Sequence, residues 1–203
     1  MSRIALILLI VILAILGFFL IKQSRESEET LETDEQAAIP GDDFDFHNWH
    51  EFSAPNGSFK VLLPSLPQHA TENISDPKFQ KKKKYDMYVS EKPDGTVFMI
   101  NLIGLPDIPP SIDSKKLLTA TMNDMVSSNP ENKLKTVEVG EYNGYPSLDF
   151  IMENNEVNID AKIFLVENTL YVLSRVVKNQ NYTPNEYNFF INSFELSSSP
   201  NGS

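Results

Sequence analysis

An unbroken apolar run near the start of the chain, Ile4–Ile21, sets the strongest limit on how this protein can be arranged. Its 18 residues contain no charged side chain. As a helix they would extend roughly 27 Å, which is close to the thickness of the hydrocarbon core of a bilayer. Because a helix satisfies its own backbone donors and acceptors, such a run can cross lipid. We therefore expect one transmembrane helix at residues 4–21.

A cleaved signal peptide is the alternative interpretation of the same run. It requires a shorter apolar core that is followed by a cleavage site of small residues. The run instead ends in the sequence GFFLIKQS, and its only alanines, Ala5 and Ala14, are internal. A lipoprotein signal needs a cysteine, and the chain has none. The sequence thus favours a permanent anchor.

The orientation of the anchor depends on the basic residues at its two ends. Arg3 precedes the run, while Lys22 and Arg25 follow it, so the positive-inside rule decides little. Since no second apolar span follows, we expect an N-in signal anchor. A cysteine-free exported domain is compatible with a bacterial envelope and unusual for a small secreted animal domain, because such animal domains tend to rely on disulfides. The expected location is the bacterial inner membrane, with the folded domain extracytoplasmic and facing the periplasm.

The negative charge of the chain is concentrated in one segment after the anchor. The net charge is -11, and ten acidic residues but no Lys or Arg lie between residues 26 and 51. From Phe52 onward, 18 acidic and 14 basic residues leave only -4. This balance argues against nucleic-acid binding, and the acidic segment lacks the apolar residues needed to fold. We predict an anchor, an acidic disordered tether, a globular domain and a polar tail, at residues 4–21, 22–46, 47–197 and 198–203.

The globular part shows both the strand period and the helix period. Apolar residues occupy every second position from Val157 to Leu165, which is typical of a strand. Between Leu118 and Val126 they follow a helical spacing instead, with a start near Ser111 or Ser114. The segment Thr183–Glu186 has the pattern of a capping box with proline at the first helical position. These patterns predict an α+β fold, a mostly antiparallel sheet covered by helices.

Short motifs in this part resemble the PsbP-like superfamily, which includes many uncharacterised bacterial envelope proteins. The segment SFKVLLPSLP, with Gly57 before it, is similar to the opening pattern G-x-F-x-V-x-x-P-x-x-P of that superfamily. The later segments SLDFIM, AKIFLVENTLYVLS and FINSFEL are similar to its later strand pair and closing helix. The resemblance covers residues 49–196 and implies an α/β/α sandwich. The motif residues would then be structural; they are Phe59, Pro64, Tyr171 and Phe194.

The resemblance also bears on function. Members of the superfamily mostly bind or scaffold other macromolecules and share no catalytic residues, so it implies a binding role without a cofactor. The apolar run stands where the plant members carry a transit peptide, so a role in a photosystem is not implied.

Arg175 is the only arginine of the predicted domain and lies within an apolar strand. A buried guanidinium requires partners, and Asp160 and Asp149 are candidates across the sheet. Two roles are open for this group. Either it forms a structural ion pair, or it belongs to a pocket for an anion or another small ligand.

The only run of charge in the predicted domain consists of Lys81, Lys82, Lys83 and Lys84. Such lysines could contact anionic lipid headgroups, each contributing about 1 kcal/mol close to the surface. The alternatives are a solvated loop or strand end, or an edge strand that lysines protect from mispairing.

No enzyme signature is present. The sequence contains no G-x-S-x-G, H-E-x-x-H, G-x-G-x-x-G or P-loop motif, and His69 is the only histidine well inside the domain. The acidic and histidine-containing segment Asp42–Glu51 has metal-ligand residue types, but nothing there fixes them on a scaffold. We expect no catalytic residue, no metal and no cofactor.

The leading hypothesis is a membrane-anchored, non-enzymatic accessory domain that acts in the cell envelope through a protein partner. The second is a domain that binds a small ligand or an anionic lipid headgroup. A hydrolytic enzyme without a recognisable motif is the third.

Overall fold

A computed structural model describes residues 46–76, 81–105 and 112–197 of the 203-residue chain. The predicted anchor, the predicted tether except for its last residue, and the predicted tail lie outside these residues. Within the described part, no helix is long and apolar enough to cross a membrane.

Ten strands and two α-helices occur along the described chain, and a 3-10 turn at Asn179–Asn181 precedes the second helix. Their order is β1 (His50–Ser53), β2 (Phe59–Leu63), β3 (Gln68–Asp76), β4 (Lys81–Glu91), β5 (Val97–Gly104), α1 (Ser114–Ser127), β6 (Lys133–Tyr142), β7 (Tyr145–Glu153), β8 (Val157–Val166), β9 (Thr169–Lys178), α2 (Pro184–Ser193) and β10 (Glu195–Leu196).

The strands form two antiparallel sheets. The larger sheet has seven strands in the order β3-β4-β5-β9-β8-β7-β6, so β3 and β6 are its edges. The smaller sheet has three strands in the order β1-β2-β10. The β6–β7 connection is a two-residue turn at Asn143-Gly144, where both residues have positive φ (52° and 82°). Asparagine and glycine tolerate that conformation, which matches the twist of the flanking strands.

Alternate residues of the central strands point into two separate cores. On one face, Met122 and Met125 of α1 pack against Phe150 of β7 and Ile163 of β8. On the other face, α2 and the small sheet pack against Phe164, Leu173 and their neighbours. The large sheet is therefore the middle layer, because a strand buries both of its faces only when something covers each of them.

The predicted helical cover is correct for the α1 face and incomplete for the opposite face. There α2 shares the cover with the three-stranded sheet, because β10 follows α2 directly and pairs with β2. Leu196 lies opposite Phe59, and Glu195 lies opposite Lys60. A two-residue strand is too short to produce a period-two pattern, so no sequence pattern predicts it.

The two helix starts differ in how well they were predicted. α1 begins at Ser114, and the Asp113 side chain accepts a hydrogen bond from the backbone N–H of Lys116 at 3.2 Å. α2 begins with Pro184 at its first position, as predicted, but the capping box is not formed because Thr183 makes no side-chain cap. The Glu186 carboxylate, which the box requires, is bound by a distant lysine instead.

Candidate functional site

Arg175 of β9 is fully buried on the sheet face that α2 covers. Directly opposite it in the register is Asp160 of β8. Its Nε and Nη2 atoms donate to the same Oδ2 oxygen of Asp160, at 2.9 and 2.6 Å. Its Nη1 atom donates to the backbone carbonyl of Thr183 at 2.6 Å, just before α2 begins. One guanidinium thus ties two strands to the start of a helix.

Further polar and charged groups extend this contact into a network, which we call the arginine cluster: Asp160, Arg175, Tyr182, Glu186 and Lys92. The Tyr182 hydroxyl donates to Asp160 Oδ1 at 2.9 Å. Glu186 Oε2 lies 3.7 Å from Arg175 Nη1, and Glu186 Oε1 accepts a hydrogen bond from Lys92. Every buried charge of the cluster has an opposite charge beside it, as a low-dielectric interior requires.

The surroundings of the cluster raise the pKa of two of its groups, Tyr182 and Lys92. Burial and the Asp160 carboxylate together raise the pKa of Tyr182 to about 12, so its hydroxyl remains a donor at neutral pH. Burial alone would lower the pKa of Lys92, but hydrogen bonds to Glu186 and Asp94 hold it above its ordinary value. Neither Tyr182 nor Lys92 is therefore poised for proton transfer near neutral pH.

Tyr187 of α2 also faces the cluster, with its ring centroid 5.9 Å from the Arg175 guanidinium carbon. Its hydroxyl is buried and has no hydrogen-bond partner within the described structure. Burial and the nearby carboxylates of Asp149 and Asp160 raise the pKa of Tyr187 well above its ordinary value. The cluster therefore contains one bonded tyrosine hydroxyl, that of Tyr182, and borders one without a bond in the described structure, that of Tyr187.

Asp149 does not contact Arg175. It lies in β7, two strands away from β9, and its register partner on β8 is Lys162. Lys162 Nζ donates to Asp149 Oδ2 at 2.7 Å. Of the two carboxylates considered from the sequence, the structure places Asp160 on the arginine and Asp149 on a lysine.

A second polar cluster lies on β3 and β4. Asp86 is buried there, accepts a hydrogen bond from Thr71 Oγ1 at 2.6 Å, and pairs with Lys84 Nζ at 2.8 Å. Burial alone would raise the pKa of Asp86, but the contacts from Lys84 and Thr71 hold it below its usual value. The carboxylate is therefore ionised and fully engaged at neutral pH.

His69 completes that cluster and stacks on Tyr88, with ring centroids 4.4 Å apart. Its Nε2 atom lies 3.1 Å from Thr71 Oγ1 and 3.4 Å from Asp86 Oδ1. In a hydroxyl–histidine–carboxylate triad the two ring nitrogens contact different partners. Here one nitrogen faces both groups, so this arrangement is not that of a triad.

The lysine run begins β4, where Lys81 to Lys84 pair with Asp76 to Asn73 of β3. β5 pairs with β4 only from Tyr85 onward, so this end of the β3–β4 hairpin extends past β5. The Lys84 side chain is held by Asp86, whereas the side chains of Lys81 and Lys82 lie outside the described part. The Lys84–Asp86 contact had a sequence signal, since residues two apart in a strand share a face.

The position of β6 at an edge of the sheet is the feature that sequence reasoning missed. It is exposed along its length, apart from a partly buried last residue. Three of the four large exposed hydrophobic residues of the described chain lie on it: Leu134, Val137 and Val139, which are 40, 43 and 62 % exposed. They pair with residues buried beneath α1, which packs on β7 and β8. The apolar face of the sheet thus continues beyond its helical cover.

Metal ligands are not assembled in the described residues, where no group of three or more His, Asp or Glu side chains could hold an ion. Of the segment considered for metal binding, His50 begins β1, while Asp42, Asp43 and Asp45 lie outside the described part.

The solved structures provide a clear match to this architecture. The chain is similar to the solution structure of cyanobacterial PsbP (CyanoP) from Synechocystis sp. PCC 6803, with a TM-score of 0.51 and 13 % identity. The match covers 78 % of this chain and 98 % of that one. The fold is PsbP-like. No protein-family model matches the chain, and no curated protein does.

The resemblance found in the sequence is therefore confirmed at the level of the fold, and 13 % identity carries nothing further. The motif residues have the structural positions that it implied. Phe59 and Phe194 are buried and stack at 5.1 Å, and Tyr171 lies in the same core. Pro64 follows the last residue of β2.

Proposed function

We propose that this protein is a membrane-anchored, non-enzymatic accessory domain that binds a protein partner in the bacterial cell envelope. The apolar run at residues 4–21 would form a transmembrane helix in the inner membrane. The acidic tether at residues 22–46 would hold the PsbP-like domain on the periplasmic side. A flexible spacer of this length spans roughly 25–30 Å, and repulsion between its carboxylates lengthens it.

The exposed edge at β6 is the observation that supports binding to a protein partner. Single exposed hydrophobic residues are ordinary on protein surfaces. Leu134, Val137 and Val139 instead form one stripe on an edge of the sheet that no other described strand pairs with. Natural proteins often protect such edges with charge, proline or a covering element. An apolar stripe that the described elements leave exposed is typical of an interaction surface.

The polar clusters support a role without catalysis. Arg175 has no exposed surface, and Asp160, Thr183 and Glu186 already engage its guanidinium. An external anion could reach it only after α2 moved. A reaction site needs functional groups that face a space for the substrate, whereas these groups face one another.

An anionic headgroup remains the second candidate, because the lysine-bearing end of the β3–β4 hairpin extends past β5. Flotation of the folded domain with anionic vesicles tests it, with Lys81–Lys84 changed to Gln as the comparison. Equal flotation of the two proteins would remove the headgroup proposal.

Crosslinking in the native membrane, followed by mass spectrometry, tests the leading proposal. A reproducible protein adduct on the folded domain is the expected result, and the lack of one would count against a protein partner. Protease treatment of spheroplasts tests the topology. Digestion of the domain is expected, and complete protection would place it on the other side of the membrane.

A further inference from the structure

Glu138 of β6 lies at the outer end of a row of side chains that crosses the sheet. The register places Lys162 beside Asp149 and Asp149 beside Glu138, on the face opposite α1. Lys162 already binds Asp149 at 2.7 Å, and no cation pairs with Glu138 among the described residues. Carboxylates directly opposite each other on neighbouring strands repel. The row therefore ends in a negative charge that lacks a positive neighbour.

On the α1 face of β6, apolar side chains likewise lack a covering neighbour among the described elements. A second row runs from Val172 through Ile163 and Leu148 to Val139. Its first three members are at most 4 % exposed, whereas Val139 is 62 % exposed. A neighbouring strand on the open side would extend the apolar row on this face and, with a basic residue, complete the charged row on the other.

A β-bulge limits how much of the edge can accept a regular strand. The register of β6 with β7 shifts between Leu134 and Thr136, and the Lys135 side chain turns to Glu153 at 2.9 Å. Bulges interrupt pairing and twist the edge locally. The regular stretch is therefore Thr136–Tyr142, which contains two glutamates and no basic residue.

This charge distribution selects among possible occupants. Antiparallel pairing with a second copy of β6 would bring together two acidic stretches, with Lys133 and Lys135 beyond the bulge in each copy. The acidic tether carries the same unfavourable sign. An extended segment with basic residues is the occupant that complements the edge.

We propose that β6 accepts an extended segment of a partner protein as an additional strand of the sheet. That segment presents Lys or Arg opposite Glu138 and apolar side chains beside Val137 and Val139. The inference rests on the proposed function, because it names the surface and the partner chemistry through which the same domain would act.

Two heptapeptides test this chemistry on the full chain in lipid nanodiscs. One alternates valine with lysine, and its matched control has glutamate in place of each lysine. Titration by fluorescence anisotropy is expected to show that the lysine peptide binds about tenfold more tightly. The substitution Glu138→Lys is expected to reverse that preference, while Glu72→Lys on the opposite edge strand is expected to leave it unchanged. Methylation of alternate peptide nitrogens should abolish binding, since strand addition needs the backbone N–H groups.

Three results would overturn the inference: equal binding of both peptides, an unchanged preference in Glu138→Lys, or full binding by the methylated peptide. A crosslink between two copies through position 139 would show that β6 pairs with a second copy of itself. That result would also overturn the inference. Peptide failure alongside a reproducible membrane crosslink elsewhere on the domain overturns strand addition and leaves the proposed function standing. Peptide success without any membrane partner supports the edge chemistry and counts against the proposed function.

Discussion

The arginine cluster and the β6 edge lie on one sheet but differ in whether their charged side chains have partners of opposite charge. Around Arg175, every charged group is buried or half-buried and is bound by an opposite charge from the same chain. At β6, Glu138 faces the like charge of Asp149 and is exposed. The difference follows from desolvation, because a buried charge without a partner costs several kcal/mol and an exposed one does not. Interior charge is thus paired within the fold, while Glu138 at the edge has no cationic partner among the described residues.

The largest effect is expected from Arg175→Met. It leaves the Asp160 carboxylate buried without its cation, and we expect the free energy of unfolding to fall by about 3–5 kcal/mol. Removing the carboxylate as well, in Arg175→Met with Asp160→Leu, should recover most of the loss. Denaturant unfolding checks both variants through the fluorescence of the single tryptophan, Trp49, which packs 5.0 Å from Phe98.

An exposed ion pair provides the control for that variant. Lys135 binds Glu153 at 2.9 Å, but both side chains are well exposed, at 46 and 36 %. Lys135→Met should therefore change the free energy of unfolding by at most about 1 kcal/mol. Similar losses in Lys135→Met and Arg175→Met would show that burial does not separate the two regions.

Tyr182→Phe is expected to have the second largest effect. It removes a hydrogen bond to the charged Asp160, which is typically a loss of about 1.5–3 kcal/mol. The pKa of Tyr182 is raised from 10.0 to about 12 in the folded protein. Its contribution is therefore complete below pH 10 and disappears as the pH rises toward 12. Unfolding measured across this range should show the gap between wild type and variant narrowing, and a gap that widened would contradict the assignment.

Tyr187→Phe tests the unbonded hydroxyl beside the same cluster, and it is matched to Tyr182→Phe in size and chemistry. Because the hydroxyl is buried without a partner among the described residues, removing it should relieve a desolvation penalty. We expect no loss, or a gain of up to about 1 kcal/mol. A loss as large as that of Tyr182→Phe would mean that the Tyr187 hydroxyl has a hydrogen-bond partner in solution.

The sequence predicted what local patterns determine. The strand–turn residues Phe59 and Pro64 carried the resemblance to a PsbP-like fold, and the burial of Arg175 in an apolar strand implied an acidic partner. The choice between Asp160 and Asp149 depended on register across three strands, which one sequence does not show. Glu186 was expected to cap its own helix, but Lys92, which lies 94 residues away, binds it.

Edges are also nonlocal properties. Val137 and Val139 alternate with Thr136 and Glu138 as they would in any half-buried strand. Whether a neighbouring strand covers them depends on how the whole sheet is ordered. The period-two rule predicts strand β6, therefore, but cannot predict that it is an open edge.

Glu138→Lys is expected to have a small effect on stability, and it tests directly whether the charge of Glu138 is unpaired. The change replaces repulsion from Asp149 with attraction, so the free energy of unfolding should rise by about 0.2–1 kcal/mol. The gain should shrink in high salt, because both side chains are accessible to screening ions. Glu72→Lys on β3 is the control, since Glu72 lies opposite Tyr85 rather than a carboxylate, and little change is expected. If Glu138→Lys instead lowered stability at low salt, Glu138 would be compensated within the chain. The buried and edge charges would then both be paired within the chain, and the charge argument for a basic partner would fail.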